Sequence, residues 1–246
     1  MTTTERPRHL RRVEARGDWP GRQWPFTIPA VCQLMEDGLD IEPGITFLVG
    51  ENGSGKSTIV EALAHGYPRH GALNRMADNV GPTGSREDSV LHRHLQLLTA
   101  PLASPHGFFL RAELMHSYLN QAASAEGAAR EWQGQDLLAR SHGESFVEVL
   151  RQRFVDVGVY FLDEPESALS FQSSLALVAL LGVLASEGSQ VVCATHSPVL
   201  CSVPGATILE IGEHGIRPSA WDELELVRHW RGFLEAPERY LKHLAD

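Results

Sequence analysis

Only two lysines occur in this chain of 246 residues, and one of them, Lys56, falls inside Gly50-Glu51-Asn52-Gly53-Ser54-Gly55-Lys56-Ser57-Thr58. The spacing is G-x-x-x-x-G-K-[ST], which cradles phosphates. Its glycines let successive backbone N–H groups turn toward one anion. The helix that opens after the loop adds the partial positive charge of its N-terminus. In such a loop Lys56 reaches the β- and γ-phosphates of a nucleotide, and the Ser57 hydroxyl is placed for Mg²⁺. An acidic pair lies downstream, where the apolar run Val159 to Leu162 ends in Asp163 and Glu164. A carboxylate at a strand end can hold Mg²⁺, which points to Asp163, and the next one, Glu164, can polarise an attacking water. Residue types and order together point to hydrolysis of a nucleoside triphosphate.

The surrounding elements must deliver these groups to one place. Ile45 to Val49 is short and apolar, as expected of a buried parallel strand, and a helix is predicted from about Ser57 to His65. Further strands are expected at Gly107–Ala112, Val157–Leu162, Gln190–Ala194 and Thr207–Ile211, with a short return strand at Gly215–Arg217. Helices are expected near Ser89–Leu98, over Glu144–Phe154 and over Phe171–Ser186. A closing helix is predicted to carry Leu224, Val227, Trp230 and Leu234 on one face. The first 22 residues read as a basic, irregular arm in which His9–Ala15 can form an edge strand. Alternating strands and helices predict an α/β fold with a mainly parallel sheet and an antiparallel edge, in a single domain over 1–246.

With these motifs in order, the sequence resembles the ABC-type ATPases over about residues 38 to 211. Gly50–Thr58 looks like that family's phosphate loop, and Leu162-Asp163-Glu164-Pro165-Glu166 looks like its Walker B strand with the catalytic Glu. Ser167-Ala168-Leu169-Ser170 follows where the family's D-loop sits, and Thr195-His196-Ser197-Pro198 looks like the switch-histidine loop. Ser141-His142-Gly143-Glu144-Ser145 stands where the family places its Leu-Ser-Gly-Gly-Gln signature, with His142 and Glu144 as departures. Glu113 occupies the position expected of the Q-loop Gln, as a further metal contact. The combination is similar to the stand-alone bacterial heads of the SMC, RecF and SbcC-like branch, and the interval 113–150 is a reduced helical lobe carrying the signature.

The resemblance implies ATP and Mg²⁺ as ligands and two heads closing head to tail. Ser141, Gly143 and Glu144 of one subunit would meet the nucleotide held by Gly50–Thr58 of the other, and His196 would contact the γ-phosphate beside Glu164. Trp24 and Phe26 are candidates for an adenine wall, against the plainer reading of edge packing.

Composition narrows the job. Hydrophobic residues at 43% and charged residues at 21% describe a globular chain rather than a disordered one. Three cysteines without metal spacing and no signal-peptide pattern lead to the expectation of a cytoplasmic protein. A net charge of −10 opposes coating of nucleic acid, while the arginines of residues 6–22 leave a weak DNA contact as an expectation. The first reading is a soluble ATPase acting as a nucleotide-timed clamp in DNA repair, chromosome maintenance or defence, with a protein partner unknown. The alternative is the ATPase subunit of a membrane transporter, which the short lobe disfavours. A module that holds ATP without turnover is disfavoured by Glu164 and His196.

Overall fold

The computed structural model describes residues 8–67, 90–112, 147–148, 150–151 and 156–242. Two sheets organise them. The larger is built from β3 (Ile45–Val49), β5 (Gly107–Arg111), β6 (Val159–Asp163), β7 (Gln190–Thr195), β8 (Thr207–Gly212) and β9 (Gly215–Pro218), in the order β5-β6-β7-β3-β8-β9. All its pairings are parallel except β8 with β9, the antiparallel edge. The smaller is antiparallel, in the order β2-β1-β4, from β1 (Leu10–Ala15), β2 (Leu39–Asp40) and β4 (Leu95–Thr99).

The central strands are buried on both faces, which is why they read as continuous apolar runs rather than alternating ones. Successive side chains go to opposite sides. Ile45, Phe47, Val49, Tyr160, Leu162, Val191 and Cys193 enter one core with the helix α3 (Phe171–Ser186). Leu48, Val159, Phe161, Val192 and Ala194 enter the other, under α1 (Pro29–Asp37), α2 (Lys56–Gly66) and the small sheet. Each large apolar side chain fully buried in this way contributes about 1.5–3 kcal/mol.

Helix α1 was not anticipated, although its signals are present. Pro29 stands at its start, Gly38 follows its end at φ 71°, and Ala30, Val31, Leu34 and Met35 form the buried stripe. The predicted helix near Ser89–Leu98 is corrected. A single 3-10 turn, Leu91–His94, leads into β4, whose residues pair with β1 from Thr99 against Leu10 to Leu95 against Ala15. That pairing satisfies backbone groups that an isolated short helix would have to satisfy alone.

The irregular arm is corrected as well. Leu10–Ala15 is the middle strand of the small sheet rather than an edge. The buried Gln190 joins the two sheets. Its Oε1 accepts from the Leu10 N–H at 2.8 Å, and its Nε2 donates to the carbonyls of Leu10 and Glu42, both at 2.9 Å. Beside it the Ser104 N–H donates to His9 Nδ1, which leaves Nε2–H to donate to the Gly188 carbonyl. Arg8 pairs with Glu42 at 2.7 Å and Arg12 with Asp40 at 2.9 Å, so two of the arm's arginines are already matched by carboxylates.

Helix α3 has the predicted bounds and is capped by Ser170, whose hydroxyl accepts from the Ser173 N–H. In the segment 144–154 the described residues Val147, Glu148, Leu150 and Arg151 are helical. The closing segment forms α4 (Glu225–Glu235) and α5 (Pro237–Leu241). Of its expected apolar face only Leu224 and Val227 are buried; Trp230 and Leu234 are exposed.

Candidate functional site

Three strands end at one edge of the large sheet. Val49 of β3 is in register with Thr195 of β7, and Asp163 of β6 with Ala194. Parallel pairing therefore brings the segments that follow them, Gly50–Thr58, Glu164–Glu166 and His196, to the same end, as expected of ligand sites in open parallel sheets.

The loop after β3 admits only glycine at its first position. A Cβ on Gly50 would lie 2.1 Å from the Ile211 carbonyl oxygen on β8. Gly55 at φ 103° is left-handed and passes directly into α2, whose first N–H groups have no side-chain cap. Lys56 is buried, and its ammonium donates to the Glu51 carbonyl oxygen at 2.8 Å, folding the side chain back over the loop. Burial pulls the Lys56 pKa below the usual lysine range, while the carboxylates of Glu164, Asp163, Glu166 and Glu51 pull the other way.

Asp163 closes the other side. It is buried near the Ser57 hydroxyl and keeps Oδ1 without a hydrogen-bond partner among the described residues. Burial raises its carboxyl to about 6, against the opposing pull of Ser57 and Arg111. The Arg111 Nε lies 3.6 Å from Asp163 Oδ2, and Arg111 Nη1 lies 3.8 Å from Glu61 Oε2 on α2. Arg111 was missed in the sequence. Its signal was its place at the end of a predicted strand.

The raised Asp163 value makes a prediction about stability. The folded state holds this proton more tightly than the unfolded chain, so the contribution of Asp163 to stability is full below about pH 4 and is lost as pH rises through about 6. Asp163→Asn removes the buried charge. The ligand-free variant is expected to melt above wild type at pH 7.5 and to lose that advantage near pH 4. Melting curves of both proteins from pH 4 to 8 check this, and a variant that melts lower at every pH contradicts it.

Glu164 is the only non-glycine residue with positive φ among the described residues, at φ 47°. A left-handed Glu costs roughly 1–3 kcal/mol and persists where the surrounding structure fixes it. Here its N–H donates to the Ala194 carbonyl at 2.9 Å, and the 3-10 turn Pro165–Ala168 starts directly after it. Glu164 Oε1 then stands 3.6 Å from His196 Nδ1. Glu166, given no role in the sequence, reaches the same loop. Its Oε1 accepts from the His196 N–H at 2.7 Å and from the Thr195 hydroxyl at 2.5 Å.

The predicted residues Gly50 to Thr58, Asp163, Glu164 and His196 are therefore gathered at one sheet edge. Glu113, Ser141, Gly143 and Glu144 lie outside the described residues. Phe26 does not offer an adenine wall. It is a core residue with its ring edge on His94, at 5.3 Å between centroids, whereas Trp24 is exposed.

Two family models match segments that carry these residues. The family described as "AAA domain, putative AbiEii toxin, Type IV TA system" matches residues 136–202, and the family described as "AAA domain" matches residues 35–66. The second interval contains the phosphate loop and the first contains Asp163, Glu164 and His196. The ribose import ATP-binding protein RbsA 1 of Burkholderia cenocepacia is 27% identical over 223 residues, covering 80% of this chain and 40% of the relative. The ABC multidrug transporter atrI of Aspergillus fumigatus is 28% identical over 183 residues, covering 64% of this chain and 12% of the relative. A solved structure, "An inward-facing conformation of a putative metal-chelate type ABC transporter", aligns over 87% of this chain and 84% of its own at TM-score 0.46 and 16% identity. The chain thus spans 40% or less of these two curated relatives. The chain is similar to ATP-binding proteins of the ABC and AAA type, and the branch resembling SMC heads is not singled out by these matches. No helix among the described residues is long and apolar enough to cross a membrane.

Proposed function

We propose that this chain is a Mg²⁺-dependent ATP-hydrolysing head, a single domain over 1–246, that works in the cytoplasm as an ATP-driven homodimer. The observation that supports this most directly is the approach of Glu164 to His196 at 3.6 Å on the edge that also carries Lys56. The donors present suit a magnesium ion, since Asp163 keeps a buried oxygen without a partner beside the Ser57 hydroxyl, and both are hard oxygen ligands. Ser57 and Asp163 would hold the ion, with Glu113 as a third candidate, and the bound ion would neutralise charge on the β- and γ-phosphates.

The chain's own residues do the rest. The N–H groups of Gly50–Thr58 and the start of α2 receive the phosphates, and Lys56 exchanges its contact with the Glu51 carbonyl for a phosphate oxygen. Glu164 takes the proton of the attacking water, and His196 holds the γ-phosphate beside it. Ser141, Gly143 and Glu144 of one subunit approach the nucleotide held by the other.

The work done by the cycle is assigned to DNA repair, chromosome maintenance or defence, through a protein partner. Pairing of Arg8 and Arg12 with carboxylates leaves the N-terminal arm less charge for a DNA contact. A specific observation favours a second reading, the ATPase subunit of a membrane transporter, since the relatives named above are an import ATP-binding protein and a multidrug transporter.

The dimer is tested by size. Glu164→Gln protein is expected to run as a dimer with Mg-ATP and as a monomer with ADP, by light scattering on a sizing column. Adding Ser141→Arg is expected to abolish the dimer while leaving ATP affinity unchanged. A dimer that persists in the double variant overturns the role given to Ser141. Stable association with membranes from the source cell, lost on washing only after ATP, favours the transporter reading instead.

A further inference from the structure

Glu166 lies two residues beyond the strained Glu164, yet its carboxylate makes its hydrogen bonds some 30 residues away, at the end of β7 and on the loop that follows it. One oxygen, Oε1, takes both the His196 backbone N–H and the Thr195 hydroxyl, and it stands 3.6 Å from His196 Nδ1. Thr195 Oγ1 in turn accepts from the Ser197 N–H at 3.0 Å, so three consecutive residues of the loop are ordered through this carboxylate. The His196 ring is not held by packing, since its side chain is 45% exposed, whereas that of Glu166 is 8% exposed. The second oxygen, Oε2, is buried with no hydrogen-bond partner among the described residues. A buried carboxylate left half satisfied is destabilising, and an apolar residue of similar size would often be more stable in such a place. Stability alone therefore does not account for Glu166, and its neighbours are the groups assigned to hydrolysis.

We infer that Glu166 is the positioning residue for His196. It does not touch the nucleotide. It fixes the backbone at His196 and, together with Glu164, engages the Nδ1 side of the ring, which leaves Nε2 as the nitrogen for the γ-phosphate. The inference rests on the reading of His196 as a γ-phosphate contact, so its test must separate the two.

Wild type, Glu166→Ala, His196→Ala and the double variant are compared for ATP affinity, measured with a fluorescent ATP analogue, and for single-turnover hydrolysis. Glu166→Ala is expected to slow hydrolysis roughly 10–100-fold, the scale of a misplaced catalytic contact, with affinity within about 3-fold of wild type. In the double variant the loss is expected to equal that of His196→Ala alone, because a residue acting through His196 has nothing left to position. Glu166→Gln, which keeps an oxygen acceptor for the two donors, is expected to recover most of the rate. If Glu166→Ala does not fold, Thr195→Val replaces it. That change conserves volume, removes one donor to Glu166, and is expected to show a smaller loss with the same dependence on His196. A slow His196→Ala with additive losses in the double variant, or with Glu166→Ala at the wild-type rate, overturns the positioning role alone. His196→Ala at the wild-type rate overturns the γ-phosphate reading and the positioning role with it.

Discussion

Glu164→Gln is expected to bind ATP as wild type does and to hydrolyse it roughly 10²–10⁴-fold more slowly, the range for loss of a general base. The substitution keeps the size of the side chain and the hydrogen bond from the Glu164 N–H to the Ala194 carbonyl, so the left-handed turn that aims the residue is retained. What is lost is the ability to accept a proton from water. The Gln amide can still orient a water beside His196, which accounts for a residual rate. Single-turnover hydrolysis and equilibrium ATP binding, measured on the same preparation, separate the two effects. A parallel loss of binding and rate would place Glu164 in nucleotide recognition, and an unchanged rate would remove it from the chemistry.

Lys56→Ala is expected to fail one step earlier. Truncating one member of a buried charge pair costs about 2–5 kcal/mol, so ATP affinity should fall roughly 30- to 4,000-fold, with hydrolysis following it. The direction is reinforced by the setting. Lys56 feels the carboxylates of Glu164, Asp163, Glu166 and Glu51, and without it Arg111 beside Asp163 is left to offset them as the polyanionic phosphates enter. Mg²⁺ titration at fixed ATP supplies a second readout, since added metal can restore only part of the missing positive charge. Binding within about 3-fold of wild type would show that the loop N–H groups alone hold the nucleotide.

Much of the site was legible because it is local in the chain. The phosphate loop needs fixed residue types at consecutive positions, and Gly50, Gly55, Lys56 and Ser57 occupy them. The acidic strand end at Asp163 and Glu164 was likewise visible as an apolar run stopped by charge. The central strands β3, β6 and β7 were legible for a related reason. Strands buried on both faces are mostly apolar, and that pattern survives in one dimension. Leu95–Thr99 was misread because Leu-Gln-Leu-Leu-Thr suits a helix or a strand equally, and the decision belongs to its pairing with β1.

What the sequence presented by itself, then, was a set of candidate groups: a glycine-rich loop carrying a lysine, and a carboxylate pair at the end of an apolar strand. Each depends on neighbours a few residues away. The tertiary structure alone decided which distant groups act on them. Parallel register set β7 between β3 and β6, so that His196 came to stand 3.6 Å from Glu164 and the Thr195–Ser197 loop came under Glu166. The same register put Arg111 beside Asp163, and the buried side chain of Gln190 drew the N-terminal strand against the large sheet. These contacts join residues up to about 180 positions apart. No spacing rule along the chain encodes them, because strand order and register are fixed only when both faces of the sheet are buried together.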